Sequence, residues 1–288
     1  MAVQLHVALS TVFRGAASVA GGVYWCSEGN SLTAQVKCMQ NPSALKVDTY
    51  VKKAQAEAQA GTIEKLANLK RSKIYIFASP KDGVIKHESS DRLYEFYSQF
   101  VPQNQIVYQN QIAAAHSWVT KDYGNECDVQ ALPWLNNCKY DMAGDILKHL
   151  YGPLNANRTI RNDMRSQIYA YDQTEFQSQN SALFDYGYIF IPTNCGTRRA
   201  LCKLHVALHG CQMNPDHVRD QFAVHSGLNS WAEANNIVVL YPQAQKVPQV
   251  NPYACWDWFG FTGKDFANRN GSQIIAIQKM VYRLMGTF

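Results

Sequence analysis

Short continuous apolar runs separated by amphipathic stretches constrain the fold of this chain most strongly. Ile74-Tyr75-Ile76-Phe77-Ala78, bounded by Pro80, reads as a buried parallel strand, and Ile237-Val238-Val239-Leu240-Tyr241 has the same character. Val12 to Gly22, Gln105 to Gln109, Tyr186 to Pro192 and Leu204 to Leu208 also read as strands. Helical periodicity covers the opening segment to Ser10, then Val47 to Leu69, Ser89 to Phe100, Tyr140 to Tyr151 and Gly227 to Asn235. Such alternation predicts an α/β fold, a mostly parallel sheet with helices on both faces. The polar segment from Arg158 to Asn180 is expected to be an antiparallel edge hairpin or a loop within one domain spanning 1–288, since the strands after it need the first half as a packing partner.

In an open α/β sheet, functional residues gather in loops after the carboxyl ends of strands. Asp82 stands in such a loop, Ala78-Ser79-Pro80-Lys81-Asp82-Gly83, and His116 follows the next strand among small residues, Ala113-Ala114-Ala115-His116-Ser117-Trp118. An acid and then a base, each after a strand, fit the last two members of a serine-hydrolase triad. His209-Gly210-Cys211 ends the Leu204 to Leu208 strand, an arrangement that supplies a backbone N–H to an oxyanion hole, while His209 itself reads as a packing residue. The internal nucleophile lookalike is Ser18, in Ala16-Ala17-Ser18-Val19-Ala20. It is disfavoured, because alanines stand where a G-x-S-x-G elbow needs glycines and because Ser18 falls inside a strand.

Composition narrows the classes. At 288 residues the chain can bury a large core, and 17% charged residues with a net charge of +5 form no basic run. Lys70-Arg71-Ser72-Lys73 reads as a solvated helix end rather than a nucleic-acid site. The eight cysteines fall in close pairs, Cys26 with Cys38, Cys127 with Cys138 and Cys195 with Cys202, leaving Cys211 with Cys255. No CxxC occurs, so disulfides rather than a metal site are expected, in an oxidising compartment, although spacing does not dictate connectivity. There is neither a signal peptide nor an apolar run near membrane-spanning length. That conflict with the cysteines disappears if the export signal lies upstream of Met1. Asn157-Arg158-Thr159 and Asn270-Gly271-Ser272 are glycosylation acceptor patterns.

These stretches carry a resemblance. MAVQLHVALSTVF with AGGVYWC, KIYIFASPKD, AAAHSW, NNCKYDMAGDILKHLYGPLN, LHVALHGC, NNIVVLYPQA and CWDWFGF span nearly the whole chain. They resemble the single-domain poly(3-hydroxybutyrate) depolymerases, secreted serine esterases with a circularly permuted α/β-hydrolase fold. The order Asp82, His116, then His209-Gly210-Cys211 fits the permutation, because an ordinary α/β-hydrolase places the oxyanion segment first.

The resemblance implies that Asp82 orients the base, that His116 is the general base and then acid, and that the Cys211 N–H is an oxyanion donor. It implies that Cys211–Cys255 joins the oxyanion loop to the CWDW segment, and that Trp118, Trp256 and Trp258 are substrate-contact candidates. The family's G-L-S-x-G-G-x-M-A pattern aligns its Met-Ala with Met1-Ala2. The nucleophile is therefore expected just upstream of Met1, with the strand and elbow that carry it, and the chain as given is expected to be inactive and less stable than an extended form. The implied partner is a water-insoluble polyester or short ester oligomers, handled by a monomer with no cofactor, metal, nucleic acid or membrane. The alternatives are another secreted carboxylesterase of feruloyl or acetylxylan type and a non-catalytic polyester-binding relative.

Overall fold

The computed structural model describes residues 1–155, 164–178, 180–196 and 201–286. The Asn157-Arg158-Thr159 acceptor pattern lies outside the described residues, whereas Asn270 is exposed. The chain divides into two compact units, Met1–His116 with Asp257–Ile275, and Ser117–Trp256 with Ala276–Phe288.

The first unit is built on a three-stranded parallel sheet ordered β1 (Gly15–Val19), β2 (Lys73–Phe77), β3 (Ile106–Gln109). Central β2 is buried from Ile74 to Phe77, as expected of a strand paired on both sides, while edge strand β1 alternates half-buried and buried. Helix α1 (Ala2–Ala8) is buried almost all round. Its His6 is held between the Tyr97 hydroxyl at 3.0 Å and Ser72 Oγ at 2.9 Å. Helix α2 (Val47–Ala60) ends at Gly61, whose φ of 72° closes the last turn while the Thr62 N–H reaches the Glu57 carbonyl at 3.0 Å. Helix α3 (Glu88–Ser98) buries Leu93, Phe96 and Tyr97 along one stripe, the i, i+3, i+4 signature of a helix facing a core.

The second unit holds two sheets. A small parallel one is ordered β4 (Trp118–Thr120), β6 (Leu135–Asn137), β5 (Asn125–Glu126). Helix α4 (Met142–Tyr151) follows, and its N-terminus is capped by Asp141, whose Oδ1 accepts the Gly144 N–H at 3.0 Å. Asp141 Oδ2 accepts the Trp231 indole N–H at 3.1 Å. Gly144 is required there, since a Cβ would lie 2.7 Å from the Trp231 ring.

The larger sheet is ordered β7 (Ile168–Asp172), β8 (Tyr186–Phe190), β10 (Ile237–Tyr241), β9 (Lys203–Val206), with helix α5 (Leu228–Asn235) leading into β10. β9 runs parallel to β10, whereas β7 and β8 are antiparallel. The polar segment before β8 thus supplies an antiparallel edge strand, β7. Phe190, Trp231, Val239 and Tyr241 form the centre of this unit's core. Of the described pairings, five are parallel and two antiparallel, an α/β architecture whose strands are shared among three sheets rather than one.

Candidate active site

In the first unit, the loops after β2 and β3 bring Asp82 and His116 together. His116 Nδ1 lies 2.7 Å from Asp82 Oδ2, with the carboxylate side chain 4% exposed and the imidazole 32% exposed. The other carboxylate oxygen, Oδ1, accepts the backbone N–H groups of Val84 and Ile85, both at 2.8 Å. The acid is thus fixed from behind while one face meets the histidine, and committing Nδ1 to the carboxylate assigns proton transfer to Nε2.

Ser79, which sequence reasoning passed over, ties the two loops together. Its hydroxyl donates to the Ala114 carbonyl at 2.6 Å and accepts the Ala114 N–H at 2.8 Å and the Lys81 N–H at 3.0 Å. One buried side chain so sets the spacing between the Asp82 turn and the segment that delivers His116. The Ser-Pro pair closing β2 was its only trace in the sequence.

Ser18 lies inside β1, opposite Ile76, and is 6% exposed. A mid-strand hydroxyl has none of the exposure that a strand-to-helix turn gives a nucleophile. Trp258 is half-buried and meets Phe259 edge to face at 5.6 Å between centroids, and Phe259 contacts Phe261 at 5.1 Å. Asp257, which the sequence reading also missed, holds this aromatic loop. Its buried carboxylate accepts the N–H groups of Phe259, Gly260, Phe261 and Thr262 at 2.6–3.3 Å and the Thr262 hydroxyl at 2.6 Å. An Asp followed closely by Gly and Thr is the signal that could have revealed it.

In the second unit, β9 runs into Ala207-Leu208-His209-Gly210-Cys211. Cys211 is exposed and bonded to Cys255, which is clamped by Asn251 through Oδ1 to the Cys255 N–H at 3.0 Å and Nδ2 to the Cys255 carbonyl at 2.8 Å. Three further bridges join Cys26 to Cys38, Cys127 to Cys138 and Cys195 to Cys202. Trp256 is 4% exposed, with its ring 5.5 Å from that of His209. Trp118 donates its indole N–H to the Ser226 carbonyl at 2.8 Å and packs edge to face on Phe222 at 5.3 Å. Among the described residues no group of three His, Cys, Asp or Glu side chains could hold a metal ion, and no helix is long and apolar enough to cross a membrane.

Asp82 and His116 thus form a buried acid locked to a half-exposed histidine, and known proteins identify the family in which this pair is set. The chain is 32% identical to a polyhydroxybutyrate depolymerase of Talaromyces funiculosus, covering 100% of this chain and 87% of the relative. The chain belongs to the polyhydroxybutyrate depolymerase family. A poly(3-hydroxybutyrate) depolymerase of Delftia acidovorans is 41% identical over 99% of this chain, which spans 57% of that relative's length. The fold is that of two solved family structures, the Penicillium funiculosum PHB depolymerase and a PHB depolymerase complexed with an R3HB trimer. Each has a TM-score of 0.89 at 29% identity, covering 99% of this chain and 92% of the other. No family model matches the chain.

Proposed function

We propose that this chain carries the acid, base and oxyanion segment of a secreted serine esterase that hydrolyses poly(3-hydroxybutyrate) through an acyl-enzyme. The observation that carries the reading is the 2.7 Å pair between His116 Nδ1 and a buried Asp82 whose second oxygen is held by two backbone N–H groups. In this mechanism Asp82 keeps the proton on Nδ1 and offsets the imidazolium charge. His116 Nε2 takes the proton of the nucleophilic hydroxyl and returns it to the departing alcohol. The Cys211 N–H receives the negative charge that develops on the ester oxygen.

The nucleophile in this reading is the serine of the family's G-L-S-x-G-G-x-M-A pattern rather than Ser18, which lies buried inside β1. Four disulfides support an oxidising, extracellular setting. A relative's complex with an R3HB trimer supports short ester oligomers as the bound species, with the aromatic loop of Trp258 as a contact and Trp118 and Trp256 as further candidates. The enzyme acts as a monomer.

The test measures release of 3-hydroxybutyrate from a polymer film, and of nitrophenol from p-nitrophenyl butyrate, by a form that carries the family's serine turn. Activity lost in its His116→Ala variant and kept in Ser18→Ala is expected. Hydrolysis that Ser18→Ala abolishes would overturn the assignment of the nucleophile. Cleavage of feruloyl or acetylxylan esters with no action on the film would replace the substrate, and film adsorption without hydrolysis would leave a binding protein.

A further inference from the structure

Helix α1 carries a polar cross-link that hydrophobic packing alone does not need. The His6 ring, the Tyr97 hydroxyl and Ser72 Oγ are all buried and form a continuous chain, with Nδ1 3.0 Å from the Tyr97 hydroxyl and Nε2 2.9 Å from Ser72 Oγ. A neutral imidazole has one donor and one acceptor nitrogen, and a hydroxyl serves as either, so both ring nitrogens find partners. Burial lowers His6 to about 3, which keeps the ring neutral at neutral pH.

The two partners stand on different elements. Tyr97 belongs to α3, and Ser72 immediately precedes β2, the strand that leads to Asp82. Val3, Leu5 and Val7 of α1 are buried too, but apolar contacts are non-directional and set how deep a helix lies rather than how it is rolled about its axis. Hydrogen bonds are directional, and two of them from one ring to two elements fix the roll. The C-terminal end of α1 is held separately, by the Glu64 N–H on the Ala8 carbonyl at 3.1 Å and by the Glu64 carboxylate on the Ser10 hydroxyl at 3.3 Å. In the family's G-L-S-x-G-G-x-M-A pattern, whose Met-Ala aligns with Met1-Ala2, the serine turn leads directly into this helix.

We propose that His6 is a positioning residue that fixes the roll of α1 against α3 and β2, and with it the place of the nucleophilic serine relative to Asp82 and His116. The inference rests on the esterase reading above. A misplacement of about 1 Å at the reacting atoms costs about 100-fold in rate, so the setting of this short helix is felt in the chemistry.

Amide hydrogen exchange is followed first, in the 288-residue protein and its His6→Phe variant. The Leu5 and Leu9 amides, bonded to the Met1 and Leu5 carbonyls at 2.9 Å, are expected to exchange about ten-fold faster in the variant, while the Ala78 amide at the end of β2 keeps its rate. Unchanged rates at Leu5 and Leu9 overturn the proposal, and so does an equal rise at Ala78, which marks a general loss of stability. Where His6→Phe does not fold, Tyr97→Phe, which removes a single hydroxyl, takes its place with the same outcomes. In a form that carries the family's serine turn, His6→Phe is expected to lower kcat for p-nitrophenyl butyrate about 100-fold per titrated active site with KM held within about two-fold, and His6→Gln, which keeps a donor and an acceptor, to recover most of it. Val7→Ala, a buried apolar change on the same helix, is expected to lower the urea midpoint and keep kcat. A kcat unmoved by His6→Phe, or lowered as far by Val7→Ala, overturns the positioning role. Absence of hydrolysis in every form, the unaltered one included, defeats the esterase reading instead, which the exchange result does not depend on.

Discussion

His116 and His209 are the same side chain set in opposite surroundings. His116 is a third exposed, and its Nδ1 is held by the Asp82 carboxylate. His209 is buried between the Gly210 carbonyl and the Ala244 N–H, and burial lowers it to about 4, so it stays neutral at pH 7. The loops around them are secured differently too. The Asp82 and His116 loops are tied by hydrogen bonds through Ser79, whereas the Cys211 turn is pinned covalently to Cys255.

The sharpest test of this contrast is the proton-transfer pair. In an ester-hydrolysing form, Asp82→Asn is expected to lower kcat by about 10⁴-fold by offering the wrong hydrogen-bonding partner to Nδ1, with KM nearly unchanged, as steady-state hydrolysis of p-nitrophenyl butyrate will show. Next in size is the covalent pin. Replacing both Cys211 and Cys255 by Ser opens a loop with a sequence separation of 44 residues. This is expected to cost about 4 kcal/mol, seen as a lower urea midpoint.

Acid should separate the two histidines further. His209 is held at about 4 in the folded protein against an ordinary 6.5, so below pH 6.5 the unfolded chain binds a proton that the folded protein refuses. Its contribution to stability is therefore complete above 6.5 and declines as pH falls toward 4, by about 2 kcal/mol at pH 5. Buried His6, lowered to about 3, and His205, lowered to about 4, add to the same slope. Urea midpoints at pH 7, 6 and 5 should fall steadily, and less steeply in His209→Asn. A slope unchanged in that variant would break the contrast. The smallest expected effect is that of Ser79→Ala, which unties Ala114 and Lys81 for about 1–2 kcal/mol of stability and lowers kcat more than it raises KM.

Much of this was legible in the chain. The strand at Lys73–Phe77 and the helices at Val47–Ala60 and Met142–Tyr151 announce themselves by period and composition, and Asp82 and His116 follow from their places after strands. Illegible were Ser79, whose three bonds reach across 35 residues as well as along its own loop, and Asp257, which reads as one more acidic residue until its carboxylate is seen to gather four N–H groups. Trp118 and Trp256 are substrate-contact candidates through the resemblance, and packing shows what the sequence did not, the Trp118 indole N–H on the Ser226 carbonyl and Trp256 buried beside His209.

Local order in this protein is set by short-range chemistry: apolar runs become strands, amphipathic stretches become helices, and glycine closes a turn at Gly61. These choices depend on neighbours a few residues apart, so the amino-acid order carries them. Which histidine meets a carboxylate and which one is buried between backbone groups depends on partners 34 and 35 residues away, Asp82 for His116 and Ala244 for His209. Solvent exclusion and the meeting of distant groups exist only once the chain has packed, and they give two identical imidazoles different surroundings.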